Sequence, residues 1–170
     1  MTTVLILAGI LTASLDAGGY LAQEASLRRS MLATTELSLA IRPLPFLEAS
    51  LGYGVAGRKD SFSGMDFSST YHRFPLRLGG HLPLDRVGLF AGIGPAMVGT
   101  RTRIRDAESL TESLNWSVAL CVTARAEMPI LVRDSGSRLL GRATFEVYRR
   151  GGRTDVTMML GAGWRFEAAP

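Results

Sequence analysis

Apolar side chains recur at every second position along most of this chain. In the stretch RFPLRLGGHL (residues 73–82), Phe74 and Leu78 fall on one face, and Arg73 and Arg77 fall on the other. A period of two is typical of β-strands, and the helical period fits none of the stretches that show it. The pattern therefore predicts an all-β chain. The same alternation runs through TELSLAI (35–41), LEASLGYGVAG (47–57), WSVALCVTARAEM (116–128) and VTMMLGAGWRF (156–166).

Turn signals divide this pattern into segments. Some connections are tight, such as RPLP after Ile41 and PLDRV after Leu82, whereas those at 58–69 and 105–113 are longer and polar. Short and long connections alternate, which is typical of transmembrane barrels with short turns on one side and longer loops on the other. The predicted fold is a closed antiparallel transmembrane β-barrel of about eight strands with an up-and-down meander. We predict strands near 19–28, 31–42, 46–57, 70–83, 87–103, 114–129, 139–149 and 154–166.

The polar face of these strands carries charges of both signs among Gly, Ala, Ser and Thr. An arginine that faces lipid near the middle of the bilayer costs up to about 2–4 kcal/mol, and a charge buried in protein needs a partner. Carboxylates and guanidinium groups that pair across a narrow lumen meet both conditions. We expect Arg77, Arg125 and Arg142 to contact glutamates such as Glu36, Glu48 and Glu146. The predicted lumen charge network comprises Glu24, Glu36, Glu48, Arg73, Arg77, Arg125, Glu127, Arg142 and Glu146.

A soluble β-sandwich or lipocalin-like barrel also alternates, and it remains an alternative. In such a fold the apolar face points inward, and the other face carries many solvating charges. Here the polar face is rich in small residues, and the apolar face is almost free of charge in the centre of each strand. We therefore favour a membrane barrel, in which outward aromatic side chains near the strand ends form an interfacial girdle. The predicted girdle comprises Tyr53, Phe74, Trp116, Trp164 and Phe166.

The first residues differ from the rest. Residues 4–11 form a short apolar run that is followed by small residues, which is the size of a signal-peptide core. No Lys or Arg precedes this run, so a first strand or helix of the folded domain is the alternative. We predict a signal peptide at 1–17 and an outer-membrane barrel at 18–170.

Motifs for catalysis and metal binding are absent from the 170-residue sequence. Its single cysteine, Cys121, excludes an intrachain disulfide and a metal site built on several thiolates. The stretch GIGPAMVG (92–99) lacks the ending of a phosphate-binding loop, and Pro95 within it should produce a β-bulge. We therefore predict that the chain is not an enzyme and binds no metal.

Basic side chains gather at one predicted end of the strands, and the formal net charge is +4. They can solvate the rim or contact the phosphates of lipopolysaccharide, to which arginine offers bidentate hydrogen bonds. No base-stacking aromatic residues are interleaved with them, so nucleic acid is not a predicted partner. Arg101, Arg103 and Arg105 repeat at the strand period and should all project outward. The candidates for lipopolysaccharide contact are Arg58, Lys59, Arg101, Arg103, Arg105, Arg149 and Arg150.

Over residues 19–166 the chain resembles the small eight-stranded outer-membrane barrels, the OmpA-, OmpX- and OmpW-like superfamily. The resemblance rests on strand number and alternation, and on the terminal strand MLGAGWRF, which is similar to the family's carboxyl-terminal signal. It implies residence in a bacterial outer membrane, recognition by the barrel-assembly machinery, and no cofactor. The chain departs from that signal by adding residues 167–170.

Three functions are compatible with such a barrel. The first is a structural or envelope-interaction role, with a plugged lumen, membrane lipid around the wall, and lipopolysaccharide at the basic rim. The second is a narrow channel for small solutes. The third, which is less favoured, is an outer-membrane lipid-modifying enzyme. Pairing between glutamates and arginines across the lumen would favour the first, and the sequence does not decide the oligomeric state.

Overall fold

The computed structural model describes residues 10–23, 29–62, 65–84, 86–106, 109–133 and 136–167. Each of the eight strands in these ranges pairs antiparallel with its neighbours in the chain, and the first also pairs with the last, which closes a barrel. No helix among the described residues is long and apolar enough to cross a membrane. The strands are β1 (Ile10–Gln23), β2 (Arg29–Leu44), β3 (Leu47–Phe62), β4 (Met65–Leu84), β5 (Val87–Arg105), β6 (Leu110–Val132), β7 (Arg138–Arg150) and β8 (Arg153–Glu167). This architecture confirms the predicted fold class and meander topology.

The first strand begins earlier than the prediction of 19–28. Leu15, within the predicted signal peptide, pairs with Leu37 of β2 and with Ala162 of β8. The segment alternates like the other strands, with Ser14 and Asp16 buried and Leu15 exposed. The small residues that resemble a signal-peptide cleavage site are therefore lumen-facing and wall positions of a strand. The signal peptide itself stays a prediction, because residues 1–9 lie outside the described residues.

The connections predicted to be long are largely strand. Strand β3 runs to Phe62 and β4 starts at Met65, while β6 already begins at Leu110. The ladder continues through polar sequence because both faces of these extensions can meet water. The asymmetry of the barrel therefore lies in strand length. We call the end with Ile10, Glu167 and the β2–β3, β4–β5 and β6–β7 connections the turn end, and the opposite one the extended end.

The predicted bulge at Pro95 is wrong. Strand β5 keeps one register with β4 from Pro75↔Ala96 to Leu78↔Ile93, and Pro95 itself lies opposite Leu120 of β6. The β4–β5 ladder omits the pairs of Gly94 and Pro95 but resumes in the same register, and the β5–β6 ladder continues through both residues. The described ladders shift register elsewhere, in β2 between Ile41 and Leu44 and in β6 between Pro129 and Leu131.

Burial is inverted relative to a soluble protein. Among the described residues, the largest fully buried side chains include arginine, tyrosine and glutamate, whereas 36 large apolar side chains are exposed, too many for a chain that lives in water. The outward position predicted for five leucines is confirmed, because each is exposed on the outer wall. These are Leu37, Leu51, Leu78, Leu120 and Leu160.

An arginine introduced on this wall should lower the free energy of unfolding strongly in the middle of a strand and only slightly at the extended end. Leu160 is 72% exposed and lies within β8, so Leu160→Arg should lower the free energy of unfolding in phospholipid vesicles by about 2–4 kcal/mol. Leu110 is 63% exposed at the start of β6, and Leu110→Arg should cost less than about 1 kcal/mol. Denaturant titration measures both variants, and equal losses would contradict a bilayer around the wall.

Candidate functional site

The lumen is filled with charged side chains. Every described member of the predicted lumen network is buried, and Arg73 and Glu146 are 0% exposed. Glu24 lies outside the described residues. The buried members are Glu36, Glu48, Arg73, Arg77, Arg125, Glu127, Arg142 and Glu146.

In the middle of the lumen, Arg77 of β4 joins two carboxylates from other strands. Its guanidinium lies 2.5 Å from Glu36 Oε1 of β2 and 2.5 Å from Glu146 Oε1 of β7. Gly52 makes room for this triad, because a Cβ at that position would lie 2.6 Å from Glu36 Oε1 and 2.9 Å from a nitrogen of Arg77. The small residues of the polar face are therefore the space into which the charged side chains fold.

Nearer the turn end, two glutamates collect several cations. Glu48 accepts hydrogen bonds from Arg125 at 2.5 Å and from Arg42 at 2.8 Å. Glu127 accepts from Arg42 at 2.9 Å and from Arg165. The network predicted from the sequence did not include Arg42. The alternation of β8 places Arg165 inward, as the sequence predicts. Arg42 continues the inward positions of Ser38 and Ala40 in β2, so the same alternation could have identified it.

Arg142 has a different partner from the predicted glutamate. Its guanidinium lies 3.4 Å from Asp16 Oδ2 and donates to Ser38. Asp16 lies in the segment assigned to the signal peptide, which explains why it was missed. A Cβ on Gly161 would collide with the Asp16 side chain, so this glycine also makes room for a lumen charge.

Toward the extended end the lumen is closed by aromatic rings around Arg73. The Arg73 guanidinium donates to Thr34 at 2.5 Å and to Thr157 at 2.6 Å. It also lies over two tyrosine rings, 4.7 Å from the centroid of Tyr20 and 5.5 Å from that of Tyr148. These contacts combine cation–π attraction with hydrogen bonds. The inward phase of β7 could have identified Tyr148, which shares its face with Glu146.

Removing Arg77 alone should destabilise the barrel strongly, because Glu36 and Glu146 would then face each other without a cation. We expect Arg77→Met to cost about 3–5 kcal/mol of unfolding free energy. Adding Glu36→Gln and Glu146→Gln should recover most of that loss, since no unpaired charge remains buried. Denaturant titration in detergent micelles measures this, with Arg103→Met on the exposed rim as control. A triple variant no more stable than Arg77→Met would contradict a packed charge network.

At the extended end, basic side chains project outward from β3 and β5, the strands on either side of β4. Arg101 and Arg103 of β5 share Glu112 of β6, with Nε–Oε distances of 2.6 Å and 2.8 Å. Hydrogen bonds from Arg101 and then Arg103 lower the pKa of the exposed Glu112. Together with Lys59 of β3, the two arginines line a groove of about 350 Å³ whose other walls include Gly57, Ser68 and Thr70. Sequence reasoning missed Glu112 because cross-strand register decides which side chains meet.

The remaining rim candidates lie in different places. Arg105 is exposed opposite Asp66, and Arg149 is exposed on β7. Arg58 of β3 is exposed and lines the same groove as Lys59, Arg101 and Arg103. Arg150 differs from the prediction, because it points into the mouth of the lumen and donates to Asp155 at 3.0 Å and to Ser117.

The predicted girdle residues form two groups. Tyr53, Phe74 and Trp116 lie together toward the extended end, with the Phe74 ring centroid 4.8 Å from that of Tyr53 and 6.0 Å from that of Trp116. Trp164 and Phe166 lie near the turn end, with centroids 6.4 Å apart. Between the two groups the described wall is aliphatic except for Phe145 of β7, which is 40% exposed.

The described residues contain no group of three or more His, Cys, Asp or Glu side chains that could hold a metal ion. Ser117, a conceivable nucleophile, donates to the Val98 carbonyl and accepts from Arg150, which is not a general base. The absence of a cofactor and of enzymatic activity stays a prediction.

Comparison with known proteins places this geometry among solved barrels. No protein-family model and no curated protein matches the sequence. Ail, the attachment invasion locus protein of Yersinia pestis, crystallised in complex with the heparin analogue sucrose octasulfate, has a TM-score of 0.69 at 15% identity, covering 93% of this chain and 99% of Ail. A major outer membrane protein from Thermus thermophilus has a TM-score of 0.68 at 14% identity, covering 94% and 100%. Neisserial surface protein A has a TM-score of 0.57 at 14% identity, covering 94% and 97%.

The chain has the fold of the small outer-membrane barrels. At this identity the likeness concerns the fold. The apolar wall around a polar interior supports a membrane location independently of that likeness. Strands can cross hydrocarbon only in a closed barrel, because there every backbone group is paired. The protein is therefore a closed barrel with an apolar outer wall, and residence in a bacterial outer membrane stays the prediction made from the sequence.

Proposed function

We propose that this protein is a non-conducting outer-membrane barrel with a structural or envelope-interaction role, whose outward basic groove contacts the phosphates of lipopolysaccharide. The observation that supports a non-conducting lumen is the Arg77 triad, which joins β2, β4 and β7 across the lumen. Short turns of outer-membrane barrels face the periplasm, so the extended end faces outward in this proposal.

The lumen contacts support a plug and not a pore. Three layers follow one another from the extended end: the rings around Arg73, the Arg77 triad, and the cations around Glu48 and Glu127. Side chains can just fill an eight-stranded barrel, whereas aqueous channels need more strands. A solute would have to break several buried ion pairs to pass.

The geometry of the groove supports an anionic lipid head as its ligand. Arg101, Arg103 and Lys59 lie on the outer wall beyond the aromatic group of Tyr53 and Trp116, which is the height of lipid head groups. Glu112 neutralises one of the four described cations that line the groove and holds the guanidinium groups of Arg101 and Arg103 in place. Ail was crystallised with a sulfated, polyanionic ligand, which is compatible with this role for a barrel of the same fold.

The lumen should not conduct. In planar bilayers at high salt we expect no stepwise current from the purified barrel, because the three layers of side chains exclude a continuous water path. Heat-modifiable migration on a gel provides the control that the sample is folded. Reproducible single-channel steps from folded protein would replace this proposal with the narrow channel.

Removal of positive charge from the extended end of β5 should weaken association with lipopolysaccharide. Arg101→Gln/Arg103→Gln/Arg105→Gln should lower the affinity at least about ten-fold at moderate ionic strength, since each cation near an anionic surface contributes about 1 kcal/mol. Glu112→Gln should act in the opposite direction, because it removes the competing carboxylate. Binding to immobilised lipopolysaccharide measures both effects.

The matched control is Arg86→Gln/Arg133→Gln, which removes cations at the turn end. Both sets should leave folding in plain detergent nearly unchanged, because the side chains are exposed. Equal binding by the triple variant and the parent would leave only a solubilising rim.

A further inference from the structure

The basic groove at the extended end is a grid of side chains that three neighbouring strands present to the outer wall. Strand β4 lies in the middle, with β3 on one side and β5 on the other. Ser68 of β4 lies opposite Lys59 and Arg103, and Thr70 lies opposite Arg101. Short hydroxyl side chains therefore form the floor of the groove, and long cationic side chains rise from the strands that flank it.

The groove is longer than a single phosphate group needs. The cavity of about 350 Å³ described above shares Lys59, Ser68 and Arg103 with a second cavity of about 710 Å³, which continues along β4. Because neighbouring strands lie about 4.8 Å apart, the backbones of β3 and β5 are separated by about 10 Å across the floor. This span leaves room for a group the size of a sugar ring, with cations on either side of it.

Gly57 keeps one side of the floor open. It is exposed on β3 opposite Thr70, and among the described residues the nearest atom to a Cβ built on it would be the Ser69 carbonyl oxygen, at 3.8 Å. The floor at Thr70 therefore widens toward β3, while Arg101 walls it on the β5 side. A ring placed on Thr70 can extend over Gly57 without meeting a side chain there.

Aromatic rings lie directly below the hydroxyl floor, toward the middle of the barrel wall. His72 follows Thr70 on the outer face of β4, and its Nδ1 lies 3.0 Å from the Tyr53 hydroxyl. The Trp116 ring covers Gly99, which lies opposite His72, and a Cβ on Gly99 would lie 2.6 Å from a carbon of that ring. Along β4 the wall thus changes from cations and hydroxyl groups to aromatic rings, which is the order of head group and acyl chain in a lipid.

We propose that the groove recognises a phosphorylated sugar, so that the barrel binds the phosphosugar head group of lipopolysaccharide and not phosphate charge alone; this rests on the function proposed above. Arg101 and Arg103 hold the phosphate, because Glu112 engages only the Nε donor of each in its hydrogen bonds and a guanidinium has further donors for a second acceptor. The hydroxyl groups of Ser68 and Thr70 can donate and accept, so they pair with hydroxyl or amide groups of the ring.

Asp66 sets the position of the phosphate along the groove. At the outer end its carboxylate accepts a hydrogen bond from Ser61 at 2.6 Å and lies opposite Arg105. An anion is repelled by that carboxylate and is favoured nearer the membrane, beside Arg101 and above Thr70. The sugar ring that carries the phosphate then covers the hydroxyl floor, whereas a glycerol phosphate head group offers the same charge without a ring to fill it.

Titration of the folded full-length barrel in detergent with N-acetylglucosamine 1-phosphate and with glycerol 3-phosphate tests the inference. Both ligands carry one phosphate monoester, so they differ in the ring and not in the charge. Calorimetry measures both dissociation constants, with ionic strength held constant by sodium chloride. The sugar phosphate should bind at least about five-fold more tightly, because hydrogen bonds to the floor add to the same phosphate contacts.

Two uncharged variants remove recognition of the ring and leave the cations in place. Ser68→Ala/Thr70→Val deletes the hydroxyl groups and nearly keeps the shape of the floor, so it should bind both ligands alike. Gly57→Val fills the open side and should weaken binding of the sugar phosphate only. Gly80→Val is the matched control, because Gly80 is an exposed outer-wall glycine at the turn end, where a Cβ would lie 4.0 Å from the Phe46 carbonyl oxygen. Valine suits a strand, so both glycine variants should fold.

Binding to immobilised lipopolysaccharide separates this inference from the proposed function. We expect Arg101→Gln/Arg103→Gln and Ser68→Ala/Thr70→Val each to weaken it. If only the arginine variant does so, the groove contacts phosphate alone and the inference is overturned while the proposed function stands. If neither variant weakens it, both are overturned. Equal affinity for the two soluble ligands, no binding of either, or an equal effect of Gly57→Val and Gly80→Val also overturns the inference.

Discussion

The constraint on which this structure depends is that a charge on a membrane-spanning strand has only one place to go. One face of each strand meets hydrocarbon, so every Arg, Glu and Asp in the span must point into a lumen too narrow for bulk water. A charge buried there is tolerated only when it is paired. Strand register, barrel closure and charge pairing are therefore coupled, because a change in any one of them would leave a charge facing lipid or without a partner.

Glycine residues provide the space that the paired charges occupy in the lumen. Gly52 lies against Glu36 and Arg77, and Gly161 lies against Asp16. A side chain at either position would take the volume that an ion pair occupies. The abundance of small residues on the polar face thus reflects packing, because long charged side chains from opposite walls fill the same cross-section. This also explains why the lumen is closed even though its surface is polar.

Charged side chains lie in different environments at the two ends of the barrel. At the extended end, Glu112 bridges Arg101 and Arg103 on the outer wall, where lipid head groups and water share the solvation of each charge. At the turn end, cations crowd around Glu127 inside the lumen, with Arg42 and Arg165 both donating to it. Charges on the outer wall are screened by solvent, whereas charges inside the lumen are not, so the cations of the lumen depend on carboxylate partners.

The sequence by itself determined the face of nearly every residue. A period of two assigns inside and outside without knowledge of partners, so Leu120 and Arg125 could be placed from their phase alone. It also determined the number and order of strands. The sequence predicted the strand ends less well. Residues 58–69 are polar, which indicates a loop, yet most of them pair in the β3–β4 ladder.

Only the tertiary structure decided which charges meet. Arg77 lies on β4, and its partners Glu36 and Glu146 lie on β2 and β7, which are not its neighbours in the sheet. Contacts across the lumen depend on strand tilt and on the shear with which the barrel closes, and neither leaves a signal in the alternation. Asp16 shows the same limit from another side: its small neighbours resemble a cleavage site, and only closure of β1 against β2 and β8 reveals it as the partner of Arg142.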